Sequence, residues 1–414
     1  MTPEVKERIE QIRHGNVPEG YQETAVGIIP ADWHMGTVRE CIEEYKLLSN
    51  DIEHIPVYSS SRRGLIPQSD YYDQREAAET NLGYKVVPHG YVTYRHMSDD
   101  DVFHFNINNT GGEILVSSEY PVFTASSKGQ LGFLIPALNG TARFRYFCKT
   151  QKLGGTRTRL YLENLKKYSL ALAPRDEQDK IAVILATQDK QIELKEKLLA
   201  EKQQQKKYLM QQLLTGKKRL TGFDGEWKQN KLGKLFAERS ETKCEHLELL
   251  AITGTQGVIP RSQLDLKDNS SEDKSKYLHI CIGDIGYNTM RMWQGVSAYS
   301  NYDGIVSPAY TILKPSSDTN AKYFAYLFKM PDVVFLFYRF SQGLVDDTRN
   351  LKYANFKKIS ITYPADKEEQ HAIVAVLEKA DLEIDLLRQS IEQEKQKKKA
   401  LMQLLLTGIV RVNK

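Results

Sequence analysis

One long segment of helix-forming residues occurs twice in this chain, and that repeat constrains the fold more than any other feature. From Pro174 the sequence runs PRDEQDKIAVILATQDKQIELKEKLLAEKQQQKKYLMQQLLTG, with no internal proline or glycine before Gly216. Acids follow the opening proline, as a helix N-terminus favours. A helix from about Asp176 to Leu214 would be about 58 Å long at 1.5 Å per residue. Setting Gln178 on Gln370 gives a shift of 192 residues that holds to the end of the chain. The first copy ends LMQQLLTG (Leu209 to Gly216) and the second LMQLLLTG (Leu401 to Gly408). Stepping by seven yields Leu185, Ile192, Leu199, Lys206 and Leu213 in one copy, and Leu377, Ile384, Ile391, Lys398 and Leu405 in the other. Such a seam predicts a coiled-coil strut, and each copy is the natural partner of the other. A second seam, Ile373, Ala380, Leu387, Glu394 and Leu401, completes the pattern in the later copy; its counterpart in the earlier one is weaker, apolar at Ile181 and Leu209 but polar at Gln188, Lys195 and Lys202. We expect those three polar residues to mark a face left for partner proteins.

The text between the helices also repeats, though more loosely. Trp33 and Trp227 each precede a glycine and an apolar segment. Tyr84 to Arg95 compares with Tyr277 to Arg291, each a β-prone run, a glycine turn (Gly90, Gly283) and a second run ending in arginine. Leu115-Val116 matches Ile305-Val306, and Gly154 to Arg159 matches Gly343 to Arg349. Residues 2–14 predict a short amphipathic helix ending at a glycine, like Gln212 to Gly216. Residues 321–340 are strongly aromatic and read as two helical pieces broken at a proline, mostly core. The expected fold class is therefore α+β: two β-rich domains related by pseudo-twofold symmetry and separated by two long helices. The segments are 1–16, an N-terminal helix completing the repeat; 17–173; the central helix, 174–220; 221–363; and the C-terminal helix, 364–414.

At 414 residues the chain is too long for a single core. Its apolar runs are too short to span a membrane, and a charged start without an apolar stretch is not expected to be a secretion signal. The cysteines, Cys41, Cys148, Cys244 and Cys281, lie far apart, which argues against a disulfide framework or zinc ribbon and for a cytoplasmic protein. A net charge of +4 permits nucleic-acid binding without requiring it.

Catalytic signatures are missing. There is no GxxxxGK[ST], GxGxxG or HExxH motif, and no methyltransferase N/D-P-P-aromatic motif. Nuclease-like near-matches occur only at Pro331-Asp332 and Pro364-Ala365-Asp366. The histidines are scattered, and no metal site is expected. What remains suits binding. Arginine reads guanine, and asparagine or glutamine reads adenine, in the major groove. The first half offers Arg62, Arg63, Arg75, Asn81, Arg95, Asn106 to Asn109, Arg143, Arg145, Arg157 and Arg159; the second offers Arg261, Asn288, Arg291, Gln294 and Arg349. Lys166-Lys167 and Lys357-Lys358 are further candidates for phosphate.

With both repeats in view, the chain resembles the DNA-specificity (S) subunit of type I restriction–modification systems along essentially its whole length. The most specific segments are ALAPRDEQDKIAVIL and ITYPADKEEQHAIVAVL, the two LMQ-LLTG endings, and GIIPADW with its weaker echo GFDGEW. The resemblance implies two target-recognition domains, each reading one half of a bipartite site in double-stranded DNA. It also implies two long helices packed as an antiparallel coiled coil that sets the gap between the half-sites. Catalysis would reside in two methyltransferase subunits using S-adenosylmethionine and two restriction/motor subunits using ATP and Mg, so this chain would be no enzyme and carry no cofactor. Two other readings stay open: the recognition subunit of a related system that cuts on both sides of its site, and a coiled-coil scaffold that binds protein.

Overall fold

The computed structural model describes residues 2–68, 83–152, 154, 156–254, 256–264 and 271–412. Arg75 and Asn81 lie outside them. The chain divides into two compact units, Met1–Glu196 with Gln389–Lys414, and Lys197–Arg388. Two 39-residue helices, a central one at Arg175–Leu213 and a C-terminal one at Lys367–Leu405, each contribute to both units. The division thus falls inside the helices rather than at their ends.

In the first unit, strand His34–Thr37 pairs antiparallel with Ser169–Leu172, joining the start of the β-rich region to its close. Thr37 then caps the single-turn helix Val38–Cys41, with Glu40 accepting the Thr37 N–H at 2.9 Å. A four-stranded antiparallel sheet follows in the order Asn106–Ile107, Val92–Thr93, Val122–Ala125, Ile42–Tyr45. A smaller sheet pairs Ile114–Val116 with Tyr84–Val87 and the latter with Leu48–Ser49. The hairpin Tyr58–Ser61/Gly64–Pro67 follows a parallel bridge from Val57 to Leu115. Trp33, Tyr94, Phe105, Phe123, Phe133 and Phe144 fill the core, which also takes in Ile181 and Leu185 of the central helix and Leu405 of the C-terminal one.

The second unit repeats this frame with different filling. Strand Trp227–Lys231 pairs with Ser360–Pro364, and the single-turn helix Leu232–Leu235 follows. The four-stranded sheet runs Ser297–Tyr299, Ile285–Asn288, Tyr310–Pro315, Phe236–Arg239. Leu278–Ile280 pairs with Gly304–Val306, and the hairpin Leu250–Ile252/Val258–Pro260 follows a parallel bridge from Leu249 to Ile305. Val57–Leu115 and Leu249–Ile305 are therefore the same joint in two copies. The aromatic run forms helices Ala321–Leu327 and Pro331–Phe340, with Pro331 at the first helical position, where its missing N–H costs nothing. Tyr323, Phe324, Phe328 and Phe337 are buried as core. Phe335 and Tyr338 are exposed instead.

Within each unit the two long helices run antiparallel. In the first, Leu185, Ile192, Ile391 and Leu405 are buried. Gln188 donates to Glu394 at 2.7 Å, and Lys195 reaches Glu394 at 2.9 Å and Ser390 at 2.8 Å. In the second, Leu213, Leu377 and Ile384 are buried, Leu199 is half-buried, and Lys202 pairs with Glu383 at 2.8 Å. The lysines that interrupt the seven-step seam are paired reciprocally. Lys398 meets Asp189, and Lys206 meets Asp381, the repeat equivalent of Asp189. These contacts correct the expectation for Gln188, Lys195 and Lys202: they are not a face left for partners. Their polar ends reach carboxylates on the facing helix while the stems lie along the seam.

A second repeated feature closes each unit. Glu177, in the first turn of the central helix, accepts the Trp33 indole N–H at 2.9 Å and two bonds from Arg411, both 2.8 Å. Glu369, in the first turn of the C-terminal helix, receives Arg219 at 2.5 and 2.7 Å. Each arginine also lies over its tryptophan, Arg411 over Trp33 at 6.0 Å and Arg219 over Trp227 at 5.9 Å. The short N-terminal helix, Pro3–Arg13, and both long helices stop at a left-handed glycine: Gly15, Gly216 and Gly408, with φ of 78°, 70° and 73°. Each glycine N–H returns to the carbonyl three residues earlier. The resemblance between the N-terminal helix and the ends of the long ones is thus a shared stop.

Candidate nucleic-acid interface

The first unit gathers several of its candidate arginines around one cleft. Strand Met97–Ser98 pairs with Thr158–Arg159, and Leu160 N–H donates to His96 O at 2.8 Å, so the Gly154 to Arg159 segment is fastened beside the 95–104 loop. The hairpin turn carrying Arg62 and Arg63 completes a cavity of about 440 Å³, lined also by Arg95, Ser98, Asp99 and His104. Arg62 pairs with Asp100, and its hydrogen bond holds that carboxyl below its ordinary range. Arg157 pairs with Asp99 at 2.8 Å. Among the described residues the side chains of Arg63, Arg95 and Arg159 have no hydrogen-bond or ion-pair partner, and all three are exposed. His104 has a lowered pKa, from burial first and from Arg62 second, which favours the neutral ring.

Arg143 and Arg145 are not part of this cleft. They are exposed on the helix Ala142–Thr150, whose Phe144 is anchored in the core. Asn106 and Asn108 correct an expectation, because both are buried and committed to the fold. Asn106 donates to Ser60 Oγ at 2.8 Å and Ser61 O at 2.9 Å, and Asn108 to Val87 O and Gly112 O, both at 2.8 Å. Lys166 is likewise occupied, its ammonium held by Glu44 at 3.1 Å and Glu163 at 2.5 Å.

The second unit presents the equivalent pair of loops. Leu351 N–H donates to Thr289 O at 2.9 Å, as Leu160 does to His96. Asn288 ends the strand Ile285–Asn288 and its side chain caps the Met290 N–H at 3.0 Å; Arg291 and Gln294 follow, both exposed. Arg349 lies 4.1 Å from the Tyr338 ring centroid and 5.7 Å from that of Trp293, with its side chain only 13% exposed. It pins the loop rather than projecting from it. Arg261 stands apart, on the turn Arg261–Gln263 after the Val258–Pro260 strand. The aromatic platform of Trp293, Phe335 and Tyr338 went unnoticed in sequence reasoning. The available signal was the three-residue spacing of Phe335 and Tyr338, which puts both on one helical face.

Two units thus share a frame and differ in the residues of two adjoining loops. The family model for the type I restriction modification DNA specificity domain matches residues 104–204 and 224–396. The chain belongs to this family. Solved structures agree on the fold. The type I restriction–modification S subunit from M. genitalium is 13% identical with a TM-score of 0.57, covering 90% of this chain and 96% of that one. A chain from a structure concerned with complex assembly and conformational transition of the type I restriction–modification system is 14% identical with a TM-score of 0.55, covering 92% and 99%. Specificity subunits are in general the non-catalytic components of their systems. Among the described residues of this one, no helix is long and apolar enough to cross a membrane.

Proposed function

We propose that this specificity subunit reads a bipartite site in double-stranded DNA, one half-site with each recognition domain (residues 17–173 and 221–363). The observation that carries this reading is the pairing of the same two loops in each unit, fastened by equivalent bonds (Leu160 to His96, Leu351 to Thr289) but filled with different side chains. A common frame with different contents is what two different base sequences require. In the first domain Arg63, Arg95 and Arg159 contact DNA, with Arg62 and Arg157 released from Asp100 and Asp99 on binding, and Arg143 and Arg145 meet flanking phosphate. In the second, Arg291, Gln294 and Asn288 reach the bases, Arg349 holds the loop, and Arg261 contacts the backbone. The long helices set the gap and dock two methyltransferase subunits, which bring S-adenosylmethionine; two motor-nuclease subunits bring ATP and Mg.

Adenine methylation mapped in DNA exposed to the reconstituted complex tests this. A two-part motif with a fixed gap is expected. Deleting one heptad from both helices removes about 10 Å of rise and should change the gap by about three base pairs, with both half-sites unchanged. Altered half-site bases would refute the division of labour, and methylation by the purified chain alone would refute its non-catalytic role.

A further inference from the structure

The second unit contains a side-chain cluster that DNA recognition does not use. His279 lies on strand Leu278–Ile280, opposite Ile305 of Gly304–Val306. Asp303 immediately precedes that neighbouring strand, and Cys281 follows His279 by two residues. His279 Nε2 is 3.1 Å from Asp303 Oδ1 and 3.6 Å from Cys281 Sγ. The three donor atoms all lie within 4.8 Å of one another. Around a tetrahedral zinc ion, an imidazole nitrogen and a carboxylate oxygen would be about 3.4 Å apart, and a nitrogen and a thiolate about 3.6 Å. The nitrogen–oxygen spacing is already close to this; Cys281 Sγ, which is also 3.9 Å from Nδ1, lies beside the ring and must turn towards the Nε2 lone pair to join an ion there.

The surrounding residues complete the arrangement. His279 Nδ1 is 3.0 Å from Glu241 Oε2, and the His279 N–H donates to the Glu241 carbonyl at 2.9 Å. A carboxylate on the far nitrogen fixes the tautomer that presents Nε2 to a metal, as is usual for histidine ligands. Cys281 is held through its backbone N–H, which donates to Asp284 Oδ2 at 2.9 Å; Arg239 in turn grips Asp284 at 2.7 Å. Asp303 is half-exposed, which leaves a path for the ion and room for a water as fourth ligand. At the equivalent positions of the first unit, Val86 and Pro88 stand where His279 and Cys281 stand.

We propose that His279 Nε2, Cys281 Sγ and Asp303 bind a divalent cation of the zinc class, with Glu241 orienting the imidazole. Binding releases the thiol proton of Cys281 to solvent and ties the segment after Phe236–Arg239 to the Leu278–Ile280 and Gly304–Val306 strands, stiffening the second recognition domain alone.

The test uses the full chain, stripped with a chelator under reducing conditions. It is titrated with zinc against a chromophoric chelator, and with cobalt to read the thiolate-to-metal absorption band. One equivalent should bind with that band present. Cys281→Ser should abolish the band and, like Asp303→Asn, weaken zinc by about tenfold or more. Cys244 lies on the Glu241 side of the ring, so Cys244→Ser should leave both readouts intact and controls for folding. Failure of the wild-type chain to show the band, or its loss in Cys244→Ser rather than Cys281→Ser, would overturn the site. Zinc affinity unchanged by Cys281→Ser would also do so, leaving the His279 ring hydrogen-bonded between two carboxylates.

Discussion

Replacing Arg411 by Met tests whether the ion pair that closes the first unit is structural. Glu177 is nearly buried, its side chain 6% exposed, whereas Arg411 is 29% exposed. The substitution removes two 2.8 Å bonds to Glu177 and a 2.7 Å bond to Asp32, and leaves the Glu177 carboxylate with the Trp33 indole and a 3.4 Å contact from the Val412 N–H. Stripping one partner from a buried pair costs about 3–5 kcal/mol. Solvent enters on the Arg411 side, so the lower figure applies: about 3 kcal/mol, or roughly 150-fold in the folding equilibrium. Urea unfolding should be followed by fluorescence in a Trp227→Phe, Trp293→Phe background, where Trp33 alone reports. Adding Glu177→Gln removes the stranded charge and keeps an acceptor for Trp33, so the double variant should be more stable than Arg411→Met by about 1 kcal/mol or more. The reasoning is refuted if Arg411→Met costs under about 1 kcal/mol, the value of an exposed pair, or if Glu177→Gln brings no recovery.

Hydrogen bonds from Lys195 and Gln188 hold the Glu394 carboxyl at about 2, against an ordinary value of 4.5. A depressed carboxylate stabilises the fold fully above 4.5 and loses that contribution as the pH falls towards 2; melting temperatures across this window should fall more steeply in the wild type than in Glu394→Gln. Lys195→Glu should lower the melting temperature by a few degrees, and Glu394→Lys in the same chain should restore it; loss of methyltransferase binding at unchanged stability would contradict the interhelical role. Gly15→Ala, with nothing within 4 Å of the added carbon, should cost only the left-handed penalty of about 1–2 kcal/mol. Gly408→Ala should cost more, since that carbon would lie 2.5 Å from Pro30, and comparative urea unfolding measures the difference. Arg95→Ala and Arg291→Ala should each relax one half of the methylated motif, read by sequencing, while leaving the other intact.

The helices were legible in the sequence because a helix is a local structure. Two proline-free, glycine-free spans with a seven-residue apolar step admit little else, and their common offset identified a duplicated frame. The strand correspondences, Tyr84 with Tyr277 and Leu115 with Ile305, were readable for the same reason, since alternation and turn glycines act over a few residues. What a polar side chain does was not legible, because it depends on what lies opposite in space. Lys195 and Lys202 looked like a free face until Glu394 and Glu383 were found across from them. Asn106 and Asn108 looked like base readers until burial committed their amides to backbone carbonyls and Ser60. The His279 cluster left only the two-residue step from His279 to Cys281, because Glu241, His279 and Asp303 meet only when separate strands are brought side by side. Periodicity determined the repeated frame; long-range pairing decided which of its polar residues remain available to DNA, to a metal ion or to a partner.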